Sequence, residues 1–236
     1  MGQSTRTSNS RLRRRRSCWW SGHLYVSRHM RTGEYTAEAI CKCMGLPSFE
    51  DDPSCIGAVE AMRLLLKPSF HPEVCLTFVG GKVFVVCAQS MIWHQFEPSP
   101  MLTDRAEGVI SADIFAKLTS PMAPISQTGG VPGIVIDGMP SELLHFQQGR
   151  VALRVEGNAG GKGDFSAVVA LAIVAAWECI SNPHCRNALA EVAEYVNKSL
   201  PREQRPPRKP TIETMVLGPK EDREQLLEAL RKHRDG

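Results

Sequence analysis

Apolar and polar positions alternate most clearly at residues 150–156, where Val151, Leu153 and Val155 are interleaved with Ala152, Arg154 and Glu156. A period of two predicts a strand with one buried face. The strand cannot run on, because residues 157–163 hold four glycines, whose conformational freedom favours a loop over a ladder. Every residue from 167 to 177 is then apolar. This run predicts a helix through the middle of a core, capped by Asp164 or Ser166 and ended at Asn182-Pro183. It is too short to span a bilayer, which takes about 20 such residues. The same Asn-Pro pair starts a further helix whose Leu189, Val192, Ala193 and Val196 share one face up to Leu200.

Upstream, Thr36 is placed to cap a short helix through Met44, closed by Gly45 and Pro47. Asp52-Pro53 is a stronger helix start, with Asp as the cap and Pro in the first turn. Ile56, Val59, Met62, Leu65 and Leu66 then fall on one side before Pro68, predicting an amphipathic helix of about 14 residues. Residues 74–79 and 82–88 are β-branched and aromatic runs separated by Gly80-Gly81, the signature of a hairpin with a two-residue turn. Residues 91–96 extend that sheet as a third strand, and 109–118 fit either a strand or a helix. Residues 120–132, rich in Pro, Ser, Gly and Thr, read as a surface loop. Residues 133–137, 142–147 and 150–156 form a second meander, turning at Asp137-Gly138-Met139-Pro140 and at Gln148-Gly149.

Strands grouped between helices imply an α+β fold: a mainly antiparallel sheet of two meanders packed against an apolar helix pair. The domain plan is a disordered basic arm at 1–33, a single α+β domain at 34–200, a Pro-rich linker at 201–218 and a C-terminal helix at 219–234. That last helix carries a narrow stripe of Leu226, Leu227 and Leu230.

Composition adds an asymmetry to this picture. The chain of 236 residues is 42% hydrophobic and 22% charged, ordinary for a folded protein and incompatible with disorder throughout. Of its 28 basic residues, eight arginines lie in residues 1–33, which contain no acid; the remainder sets 20 basic against 25 acidic groups. The arm is near +8 and the body near −5. Arg11, Arg13, Arg14, Arg15 and Arg16, followed by Trp19, Trp20 and Tyr25, combine charge with stacking surfaces and suit nucleic acid. The same run also reads as a nuclear address in a eukaryotic host, or as sequence ahead of a later start at Met30 or Met44. The eight cysteines come without a recognisable secretory signal, so reduced thiols in a cytoplasmic setting are the expectation.

Residue spacing bears on three chemistries. Residues 157–164 follow a strand and open a helix, where backbone N–H groups hold phosphate; Lys162 with Gly163, Asp164 and Phe165 would form that anion site. The spacing fits neither a Walker-type loop nor a dinucleotide fingerprint, which favours a plain β-to-α connection. Cys41 and Cys43, with Cys179, His184 and Cys185, form the candidate zinc set, although one residue between Cys41 and Cys43 is too few for the usual ligand pair. No cofactor is predicted, zinc being the one metal considered. A thiol nucleophile would draw on Cys87, Cys185, His94 and His145, without any local hydrolase signature. Because each catalytic pattern fails at a named position, a non-catalytic protein acting through protein contacts is the first reading. Nucleic-acid binding by the arm is the second, and a cysteine-dependent hydrolase the third. No transmembrane segment is expected.

Overall fold

The computed structural model describes residues 35–92, 100–122, 125, 138–208, 224 and 228. Six strands make one antiparallel sheet in the order β4-β3-β2-β1-β5-β6: β1 Glu60–Leu66, β2 Val74–Val79, β3 Lys82–Ala88, β4 Thr103–Val109, β5 Pro140–Gln147 and β6 Arg150–Asn158. The first four form a meander, and the chain then returns to lay β5 on the other side of β1. The expected α+β fold is present, with its two groups of strands fused into one sheet by β1.

That central strand corrects the sequence reading. Helix α2 is only Pro53–Ile56, capped by Asp52, and residues 60–66 are strand instead of a continued amphipathic helix. Ile56 and Val59, assigned to the buried face of that helix, are 44% and 73% exposed. β1 pairs along its length with both β2 and β5, and both of its faces are covered. A strand buried on both sides becomes a nearly continuous apolar run, which periodicity alone does not separate from a helix.

The hairpin of β2 and β3 forms as expected, with Gly80 and Gly81 at φ of 58° and 76°. Gln148 and Gly149, at 51° and 74°, make the equivalent turn between β5 and β6. These are the paired positive φ angles of turns whose twist matches the flanking strands. The third strand beside β3 is β4 and not residues 91–96: Met91 and Ile92 are outside any strand, and 93–96 fall outside the described residues. The ambiguous stretch divides, with β4 ending at Val109 and helix α3, Ala112–Thr119, starting beyond Ser111. Within the expected surface loop, Met122 and Ile125 are helical and buried; most of its other residues, and the strand expected at 133–137, lie outside the described residues.

Each face of the sheet carries its own core. On one, Met62, Leu64, Leu66, Leu76, Phe78, Val85 and Leu143 meet helices α4, Asp164–Cys179, and α5, Pro183–Glu194. The long apolar run is the buried spine of α4, through Val168, Val169, Ala172, Ile173 and Ala176. Full burial of a Val, Leu or Ile side chain contributes about 1.5–3 kcal/mol. On the other face, α1, Ala37–Cys43, and residues 44–56 cover Ala61, Leu65, Cys75, Leu144 and Phe146.

Helix ends are only partly as expected. Thr36 caps α1, and Asn182 caps α5 by accepting from the N–H groups of His184 at 2.9 Å and Cys185 at 3.2 Å. Neither Asp164 nor Ser166 caps α4. Its cap is Gly163, at a φ of 116° open to glycine, with no side-chain bond. Asp164 sits instead in the first turn, where its charge complements the helix dipole.

Residues 201–208 have no regular structure and lie along α5. Buried Asn187 exchanges two 2.8 Å hydrogen bonds with the backbone of Glu203. Arg202 pairs with Glu194 at 2.6 Å, and Arg205 with Glu191. Among the described residues no helix is long and apolar enough to cross a membrane.

Candidate functional site: an open sheet edge

The candidate sites named from sequence separate in space. Lys162, Gly163 and Asp164 are exposed and Phe165 is half-buried at the start of α4; Asp164 puts a negative charge in the first turn, where an anion would have to sit. The arginines and tryptophans of the arm lie outside the described residues. Cys41 and Cys43 are buried on the α1 face of the sheet, whereas Cys185 is buried on the α4–α5 face with Cys179 packed beside it. The sheet itself divides the proposed zinc ligands. Among the described residues no three His, Cys, Asp or Glu side chains gather as a metal site.

The thiol nucleophile fares similarly. Cys87 on β3 and Cys185 on α5 are hydrogen-bonded to each other and buried. That bond, reinforced by burial, pushes the Cys87 thiol well up, the opposite of activation. His145 is on β5, three strands from Cys87, and its Nε2 lies 2.9 Å from Glu60 Oε1. His94 lies outside the described residues.

The structure also assembles a polar cluster that the sequence does not announce. Arg63 of β1 is wholly buried on the α1 face. Its Nη1 donates to the carbonyls of Ser48 at 2.6 Å and Phe49 at 3.2 Å, and Nη2 to that of Pro47 at 3.3 Å. Asp52 lies 3.5 Å away, and the guanidinium stands 5.3 Å from the centre of the Phe49 ring. Cys75 completes the set: its hydrogen bond with Cys41, aided by the Arg63 charge against the opposing effect of burial, lowers its pKa to about 7. The same thiol pairing, with burial, raises Cys41. Burial, then the Asp52 carboxylate, pushes Cys55 up to about 11. At 1% exposure Cys75 is closed to a substrate, so the cluster anchors α1 and residues 47–52 to the sheet.

A cleft of about 440 Å³ opens where residues 70–71, the glycine loop and the end of α5 meet. Tyr195 Oη accepts from the Phe70 N–H at 3.0 Å and lies 3.1 Å from His71 Nδ1. Glu194, on its rim, is paired with Arg202. These groups are engaged with one another, and the cleft holds no activated nucleophile or free charge among its described lining residues.

The two edges of the sheet differ. At β4, Asn182 Nδ2 donates to the carbonyl of Arg105 at 3.2 Å, and Arg208 pairs with Asp104. α4 ends so close to this strand that a Cβ on Gly108 would stand 2.2 Å from the Cys179 carbonyl oxygen. At β6, the ladder to β5 is made and no described strand lies on the opposite side. Among the described residues the only backbone hydrogen bond to its outer side is at its last residue, where the Gly161 N–H donates to the Asn158 carbonyl at 3.3 Å. Arg150, Val151, Ala152, Arg154 and Glu156 are exposed, while Val155 points into the core. Ala152 is an extra residue, since Leu153 pairs with His145 and Val151 with Phe146. On the α1 side of the sheet, Arg154 is bonded to Glu142 at 3.0 Å, to Glu156 at 3.1 Å and to Glu50. No protein-family model matches this chain, and no curated protein or solved structure matches it either.

Proposed function

We propose that this chain is a non-catalytic protein-contact module, and that β6 is the surface through which it makes contact. The observation that carries the reading is the backbone edge of a nine-residue strand, open among the described residues from Leu153 to Gly157, on a sheet whose opposite edge is bonded by Asn182 at Arg105. An unpaired row of N–H and C=O groups is a template for another extended chain, with main-chain hydrogen bonds giving affinity and alternate side chains giving specificity. The buried, mutually bonded thiols and the closed Arg63 cluster favour this reading over an enzyme.

The test is selection of extended peptides from a random library against the full chain under reducing conditions, followed by hydrogen exchange. The expected result is binders that slow exchange at residues 150–158. Binders that protect only other segments, or no binders at all, would overturn the assignment.

Nucleic-acid contact through Arg11, Arg13, Arg14, Arg15, Arg16, Trp19 and Trp20 is a second proposal, favoured by the opposite charges of residues 1–33 and the body. Binding should be sequence-independent, fall steeply with salt and vanish when residues 1–33 are deleted. Equal binding by the truncated chain would end it.

A further inference from the structure

We infer that the partner of β6 is a second copy of the same chain, joined antiparallel about a twofold axis through Val155. This rests on β6 being the contact edge and adds both the occupant and the register. The regular part of β6 runs from Leu153, beyond the extra residue Ala152, to Asn158. With Val155 opposite its own copy, Leu153 faces Gly157 and Arg154 faces Glu156, the latter pair occurring twice by symmetry. Both strands then pair entirely beyond their irregular residue.

Neighbouring registers are worse. An axis through Arg154 or Glu156 sets like charges against each other, which is destabilising in a sheet. An axis through Leu153 places Arg154 opposite the extra residue Ala152 and breaks the ladder. The Val155 register also improves an existing contact. Arg154 and Glu156 already bond along one strand at 3.1 Å, yet residues two apart on a strand are separated by about 6.6 Å. Directly opposed residues have Cβ atoms only about 4.5–5.5 Å apart.

The described helices leave space as well. α4 and α5 contact β3 and β4, toward the other side of the sheet, so a perpendicular twofold axis at β6 keeps the two helix pairs apart. The product is a continuous twelve-stranded sheet with an isologous interface, the commonest form of homodimer.

The experiment is analytical ultracentrifugation of the full chain with Arg154→Glu, Glu156→Arg and an equimolar mixture of the two. The wild type should dimerise reversibly. Each variant alone sets like charges opposite each other twice and should dimerise about tenfold more weakly or worse. In the heterodimer of the two variants every 154–156 pair is again of opposite sign, so the mixture should return toward wild-type affinity. Thermal melts monitor the fold. Glu156, with a side chain 59% exposed, keeps the test standing if loss of the Arg154 contacts to Glu142 and Glu50 unfolds the other variant.

A wild type that stays monomeric overturns the second copy as occupant, and so does a dimer indifferent to both charge reversals. If the monomer still binds library peptides at residues 150–158, the contact-module reading survives without the homodimer. If it binds none, both readings fail.

Discussion

The two faces of the sheet solve the same burial problem with different chemistry. Under α4 and α5 the contact is apolar, with Met62, Leu64 and Leu66 of β1 meeting Val and Ala side chains of the helices. Under α1, the residue between Met62 and Leu64 is a fully buried arginine, held by three carbonyls and by Asp52. The first face is satisfied by volume and excluded water. The second is satisfied by direction, because a desolvated guanidinium needs acceptors: both terminal nitrogens of Arg63 find them, and its Nε is left buried without one. One strand thus carries both solutions on alternate residues.

The largest predicted effect tests the apolar face. Leu76→Asp, at a fully buried site between Leu64 and Val85, should unfold the domain. An unpaired buried carboxylate costs several kcal/mol against a total stability of about 5–15 kcal/mol. Circular dichroism checks this, and an unchanged melting transition would mean that this face is not the principal core.

On the other face, Arg63→Ala should cost about 3–5 kcal/mol, because it strands Asp52 and the carbonyls that the guanidinium satisfied. Arg63→Met keeps the volume and should be the milder of the two in urea titrations. Equal or greater damage from methionine would show that pairing, not packing, decides this site.

A smaller effect belongs to the junction between the helix layer and the edge of β4. Asn182→Ala should cost about 1–2 kcal/mol, since Asn182 caps α5 and also bonds to the carbonyl of Arg105. A change below a few tenths would mean that Pro183 and packing suffice to hold the helix end.

The subtlest prediction concerns pH. Cys75 is lowered from 9.0 to about 7 by its bond with Cys41 and by Arg63. A depressed folded pKa contributes stability that is fully present above the unfolded value and lost as pH falls through the folded one. The stability of the wild type relative to Cys75→Ala should therefore rise between pH 7 and pH 9, measured by denaturant titration with reductant. A flat difference across that window would remove the thiolate–guanidinium pair from the account of this face.

Local chemistry made several elements legible. Gly80-Gly81 specified the β2–β3 hairpin, Asn182-Pro183 the start of α5, and the unbroken apolar run from 167 to 177 the buried helix. β4 was missed because an edge strand facing water reads as Thr-Asp-Arg-Ala-Glu-Gly-Val, with little apolar signal. The Gly163 cap was missed because positive φ leaves no side-chain signature comparable to a capping Asp or Ser.

Features that depend on neighbours along the chain were readable from it: turn positions, the helix starts at Thr36, Asp52 and Asn182, the α+β class and the charge contrast between residues 1–33 and the rest. Tertiary structure alone decided whether residues 60–66 were helix or strand, because that choice depended on β2 and β5 arriving on both sides. It also gathered Arg63, Asp52, Cys41 and Cys75 into one cluster, separated Cys41 from Cys185 by the thickness of the sheet, and brought Asn182 to the edge of β4 while leaving the described edge of β6 from Leu153 to Gly157 without a partner. The reason is common to all of these. Burial and partnership are set by segments remote in sequence, and a residue's local pattern carries no information about which of them will pack against it.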